Sequence, residues 1–156
     1  MSARLNMFDA APEMVAAMTA LETAVANSGL DETIYHLVKL RASQINGCAF
    51  CIHMHTREAR LHGEREDRLH MVVAWWESSV FTDRERAALQ WTDSLTLIAQ
   101  TRVPDADFAA VKAQFTDAEI VKLTVLIGAI NTWNRMAVAF RSQHPRSWSI
   151  EPKAAA

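Results

Sequence analysis

Apolar and polar positions along the chain recur with helical spacing, with little sustained two-residue alternation, and only four Gly and four Pro interrupt them. The pattern predicts an all-α fold of six to seven helices, one all-α domain over residues 1–141 and an irregular tail over residues 142–156. A first helix is expected from about Pro12, which suits a first turn, to Asn27, with Ser28 and Gly29 as the stop. A second follows Asp31, a good N-cap, and carries TIYHLVKLRASQI to a break at Asn46-Gly47. Cys48 opens a third, ending at Gly63, and a fourth covers roughly Glu66 to Trp76.

Two further starts carry a capping box. Thr82 with Glu85, and Thr116 with Glu119, place a hydroxyl acceptor and a returning carboxylate three residues apart. The first box begins a long helix to about Gln100; the second begins the last helix, to about Phe140. A shorter helix, DADFAAVKAQ, lies between them after Val103-Pro104. Two Phe-Thr-Asp-x-Glu segments, at Phe81 and Phe115, and two Ile-Asn pairs, at Ile45 and Ile130, suggest an old duplication, but shared capping chemistry explains the first pair equally well.

Composition narrows the function. Half of the 156 residues are hydrophobic and 22% are charged, enough apolar surface for a core without a metal or disulfide staple. Sixteen basic against eighteen acidic side chains form no basic stripe, so nucleic acid is not an expected partner. The first ten residues hold no apolar run of signal-peptide length. The longest apolar stretch, Leu123 to Ile130, falls far short of the roughly 18 residues of a membrane span. The expectation is a cytoplasmic protein without membrane attachment, and an apolar fraction of this size suits buried subunit surfaces.

The whole cysteine inventory is Cys48 and Cys51. A bridge across one helical turn closes almost no chain entropy, so in a reducing compartment this spacing favours redox or metal chemistry over stapling. At about 100° per residue, Cys48, Cys51, His55, Glu58 and His62 fall within an arc of roughly 80°, while His53 points elsewhere. Cys51 and His55 form an i, i+4 pair, close enough for imidazole to take a thiol proton. Cys48 stands at a helix N-terminus, which favours a thiolate. Both sulfurs thus have a reason for a lowered pKa, and either can attack first. If the second helix folds back antiparallel on the third, His36 approaches His55 and Glu58.

Other readings of the same residues stay open. The cysteines can be core filler, or can join His55 and a fourth ligand such as His36 around zinc. Haem attachment requires His directly after the second cysteine, where Ile52 stands, and a thioredoxin fold requires strands. His62 and His70 suit the surface. Glu58 can pair with a basic neighbour, and the five tryptophans suit packing, although Trp75, Trp76 and Trp133 could line an apolar approach.

The segments LVKLRASQINGCAFCIHMHTREAR, AWWESSVFTDRERAALQWTDSLT and AINTWNRMAVAF resemble the AhpD-like alkylhydroperoxidases of the carboxymuconolactone decarboxylase superfamily, over roughly Ile34 to Phe140. The resemblance implies an all-α bundle that forms homo-oligomers, trimers or hexamers. It also implies reduction of hydroperoxides by a C-x-x-C pair cycling between dithiol and disulfide, re-reduced by a lipoylated or thioredoxin-like thiol donor. Cys48 and Cys51 match the redox pair, and His55 the histidine of the proton relay; no cofactor and no metal ligand is assigned. Two positions depart from the family pattern. The relay glutamate, twelve residues before the first cysteine, is His36 here, and an acid that many relatives carry after the second cysteine is His53. Neutral His36 can pass a proton but supplies no negative charge; protonated, it would oppose a second imidazolium and stabilise a thiolate directly. The resulting expectation is a thiol-dependent hydroperoxide reductase using Cys48, Cys51, His55 and His36. A non-enzymatic redox sensor or scaffold and a zinc-binding helical module are the alternatives.

Overall fold

The computed structural model describes residues 2–145, and every regular element among them is helical. Nine α-helices follow in order: α1 (Met7–Ala10), α2 (Pro12–Ala26), α3 (Glu32–Ile45), α4 (Ala49–Leu61), α5 (Glu66–Met71), α6 (Asp83–Thr96), α7 (Ile98–Thr101), α8 (Asp105–Gln114) and α9 (Asp117–Phe140). None of them is long and apolar enough to cross a membrane. The expected starts hold: Asp31 accepts from the Ile34 amide, and both capping boxes close through Thr82–Glu85 and Thr116–Glu119. Residues 142–145 are irregular, and the rest of the expected tail lies outside the described residues.

Three details differ from the sequence expectation. A one-turn helix, α1, precedes α2, capped by Asn6, whose side chain accepts from the Phe8 amide. The α5 helix ends at Met71 and tightens into a 3-10 turn, Val72–Ala74, before Trp76. The carbonyls freed there have partners: Arg41 donates to Val73, and Arg86 donates to Trp75, Trp76 and Ser78. The expected long helix after Thr82 breaks at Leu97, where the Thr101 hydroxyl donates to the Ser94 carbonyl and replaces a lost helical bond.

Helix α3 is central, packing on α4, α6 and α9, and nine of its residues are buried. Its apolar side divides between two cores. Ile34 and Val38 join Leu123, Leu126 and Ile127 of α9 with Trp91 of α6; Leu37 and Leu40 join Leu69, Val72 and Trp75. Its polar buried residues make specific ties. Arg41 forks onto Asp93 of α6 at 2.6 and 2.8 Å, and Asp93 also accepts from the Trp75 indole at 3.1 Å. At the other end, the Asn46 amide donates to Asn131 at 3.0 Å and Asn134 at 2.9 Å, both on α9, and Asn134 donates to Ser43 at 3.0 Å. The two Ile-Asn pairs seen in the sequence therefore meet in space. This knot fixes the turn through Gly47, whose φ of 64° lies in the left-handed region, immediately before Cys48.

Asn134→Ala should remove two buried hydrogen bonds and open a small void. A loss of about 2 kcal/mol is expected, read as a lower urea midpoint followed by tryptophan fluorescence. A midpoint equal to that of the unaltered protein would mean that the Asn46 turn is held by other contacts.

Candidate functional site

The tie between Asn46 and α9 delivers Cys48 as the N-cap of α4, with its Sγ accepting from the Cys51 amide at 3.3 Å. The two cysteines are joined in a disulfide, with Cα atoms 5.3 Å apart, and both are 2% exposed or less. They pack with Ala137 of α9 and Phe50. Cys51, but not Cys48, lines a cavity of about 600 Å³. His55 and Glu58, on the same face of α4, line it as well, so the arc expected from helical spacing is reproduced from Cys51 to Glu58.

His55 is almost fully enclosed, and its Nδ1 lies 2.8 Å from a Glu58 carboxylate oxygen. Burial pushes its pKa below the ordinary value, and nearby Lys39 acts in the same sense, while the hydrogen bond to Glu58 opposes them. The ring is therefore neutral at neutral pH. A neutral ring that donates from Nδ1 to a carboxylate carries its lone pair on Nε2, which is buried and has no hydrogen-bond partner. Glu58 is held below the usual carboxylate range: burial alone would raise it, but the His55 hydrogen bond and the nearby Lys39 charge prevail. Cys51, as one half of the disulfide, His55 with its unpartnered Nε2 and Glu58 thus lie along one helix face at the cavity wall.

The remaining walls include residues of the N-terminal segment, α2, α3 and α9 and further residues of α4. Lys39 of α3 is buried and pairs with Glu22 of α2 at 2.5 Å, and the Tyr35 hydroxyl donates to the same carboxylate. Met54 and Trp133 supply apolar surface, as do Met7 and Phe8 from the N-terminal segment. Of the three tryptophans considered for an approach path, only Trp133 lines the cavity. Trp75 is in the core, and Trp76 lies exposed beside Arg41. The residue pattern gave no signal for Glu22 and Lys39, because their pairing depends on the packing of α2 against α3.

The structure meets the packing expectation for His36 in part. Antiparallel packing of α3 on α4 is present, and the Glu58 charge is felt at His36, but His36 does not line the cavity. Its ring centroid lies 4.7 Å from that of His62, at the far end of α4. Burial above all, with the neighbouring His62, pushes its pKa down to about 4, so it is uncharged at neutral pH. His53 is on the other side of α4, as expected, with its ring stacked on His144. His62 is half-exposed and pairs with Glu32 at 2.5 Å.

The sequence profile of the carboxymuconolactone decarboxylase family matches residues 12–94. The chain belongs to that family. It is 40% identical over 139 residues to the uncharacterized Bacillus subtilis protein YdfG, which covers 89% of this chain and 95% of YdfG. The crystal structure of an Agrobacterium tumefaciens protein of unknown function, with a suggested role as the antioxidant defence protein AhpD, superposes with a TM-score of 0.92. That match has 53% identity and spans 94% of this chain and all of the other. An uncharacterized peroxidase-related protein from Ralstonia eutropha, described as an alkylhydroperoxidase AhpD core, shares the fold at 20% identity. Its TM-score is 0.79, over 90% of this chain and 75% of that one. The chain is thus an AhpD-like member of the family, and its fold is the AhpD fold.

The depressed pKa of His55 has a consequence for stability. Released on unfolding, the ring regains an ordinary value near 6.5, so below that pH the unfolded chain takes up a proton that the folded one refuses. This contribution to stability is complete above pH 6.5 and is lost as pH falls beneath it. In the disulfide form, where the thiols do not titrate, His55→Gln should flatten the decline in urea midpoint between about pH 6.5 and 5. Parallel declines in the two proteins would contradict a buried neutral His55.

Proposed function

We propose that the protein is a thiol-dependent hydroperoxide reductase of the alkylhydroperoxidase type, with Cys48 and Cys51 as its redox pair. The observation that carries this reading is the alignment of Cys51, His55 and Glu58 at the cavity wall, with the His55 Nε2 buried and unpartnered. In the dithiol form, Nε2 takes the Cys51 proton. The thiolate attacks one peroxide oxygen, the O–O bond breaks, and the proton passes from His55 to the departing alkoxide, giving an alcohol and a Cys51 sulfenic acid. The Cys48 thiol, activated at the helix N-terminus, then attacks the Cys51 sulfur, and water leaves as the disulfide forms. An external dithiol, lipoylated or thioredoxin-like, returns two electrons by thiol–disulfide exchange.

In this scheme Glu58 takes the place of the family's relay glutamate. It is a positioning residue: it holds the tautomer of His55 that frees Nε2 and supports the imidazolium as it forms. His36 is uncharged and outside the cavity, so it has no part in the proton transfer. The apolar walls from Met7, Phe8, Met54 and Trp133 favour an alkyl hydroperoxide over hydrogen peroxide. Exposed Val121, Val125 and Val138 on α9 support assembly into a homo-oligomer.

Turnover with an alkyl hydroperoxide and a dithiol donor tests the reading. One equivalent of peroxide should consume two thiols per chain, and thiols inert to peroxide would defeat the proposal. Glu58→Gln should lower kcat/KM by about 100-fold. It should also move the acid limb of the pH profile to lower pH, because the carboxylate that raises the His55 pKa is gone; Glu58→Asp should recover part of both. A Glu58→Gln enzyme with unchanged rate and profile would remove Glu58 from the mechanism.

A further inference from the structure

Two histidines and a carboxylate gather where the start of α3 meets the end of α4, away from the cavity wall. Glu32 and His36 are i, i+4 neighbours on one face of α3, and His62 is the C-cap residue of α4. One ligand atom from each of the three lies within 4.8 Å of the other two. The His62–Glu32 pair would by itself be an ordinary surface ion pair. His36 does not fit that account: it is 6% exposed, and its Nδ1 is buried with no hydrogen-bond partner. The ring packs instead against the second imidazole, at a centroid distance of 4.7 Å. A buried imidazole turned toward another imidazole and a carboxylate, without an acceptor for its own nitrogen, gains little from hydrogen bonding. The same three groups gain a great deal from a shared cation.

We propose that Glu32, His36 and His62 form a binding site for a divalent transition-metal ion, with zinc as the reference ion. Two imidazoles and one carboxylate are borderline donors of the kind zinc takes, and three protein ligands leave a fourth position for water. Ligand atoms around tetrahedral zinc stand about 3.3 Å apart, so closure requires side-chain movements of only about 1 Å. Glu32 and His62 are the exposed members, with side chains 64% and 48% accessible, which gives the ion a route from solvent to the buried His36. The donor set contains neither cysteine, and it joins the first turns of α3 to the last turn of α4. The ion would clasp the helix pair that carries the C-x-x-C without touching its sulfurs, and this assignment stands whether or not the protein is a peroxidase.

The test uses the full-length protein in its disulfide form, so that no thiolate can bind metal, and titrates zinc against a chromophoric competitor. One zinc per chain is expected, with an accompanying rise in thermal midpoint. His62→Gln and Glu32→Gln are exposed substitutions that should leave the fold intact; each should weaken binding by tenfold or more and abolish the zinc-dependent rise. His36→Gln should do the same, and the Cys48→Ser/Cys51→Ser double variant should bind like the unaltered chain. No stoichiometric uptake up to about 100 µM zinc, or affinity unchanged in His62→Gln and Glu32→Gln, would overturn the assignment.

Discussion

The amide knot between the end of α3 and the middle of α9 is the constraint on which the rest of the site depends. Asn46 is held by Asn131 and Asn134, and Asn134 is held in turn by Ser43, one turn earlier on α3. Those bonds set where the chain leaves α3 and how it turns at Gly47, and so where the first amides of α4 point. Cys48 is the first side chain after that turn. Its sulfur caps α4, and every group on the cavity face of that helix follows from the direction the cap gives it. Asn134 is fully buried with both ends of its amide engaged, so the geometry is resistant to small shifts in the surrounding apolar contacts.

Given that placement, the electrostatics of the site follow from which groups are enclosed. His55 is enclosed and neutral, Glu58 is part-exposed and ionised, and the two meet through one hydrogen bond that fixes the tautomer of the ring. Lys39 stands close enough to disfavour a second positive charge, but its own charge is taken up by Glu22, which accepts from both Lys39 and Tyr35. The cavity therefore presents a base at one wall and a compensated ion pair at another, with apolar side chains between them. In the proposed dithiol state, such an environment would strengthen the charge interactions that accompany transfer of a proton from Cys51 to His55.

Much of this was legible in the sequence, for reasons that can be stated residue by residue. Capping chemistry is local, so Asp31, Thr82 and Thr116 marked helix starts that the structure keeps. Helical periodicity is local as well, and it brought Cys51, His55 and Glu58 to one face before any packing was known. What depends on tertiary partners was not legible. The break at Leu97 and the 3-10 turn after Met71 are stabilised by Thr101, Arg41 and Arg86, whose carbonyl partners are fixed only once the helices dock. His36 shows the limit most clearly. Its position in the family pattern gave no sign that the packing of α3 on α4 sets its ring against His62 and near Glu32, while Glu58 is the carboxylate hydrogen-bonded to His55.

The central claim is that Cys51, beside the His55 base and at the cavity wall, is the sulfur that meets the peroxide. Trapping of sulfenic acid with a dimedone-type reagent, located by peptide mass spectrometry, tests it most directly in the two single-serine variants, where no disulfide can form. Cys48→Ser should give a peroxide-dependent adduct on Cys51, and Cys51→Ser should give little or none on Cys48. An adduct that forms readily on Cys48 in Cys51→Ser, with none on Cys51 in Cys48→Ser, would contradict the account.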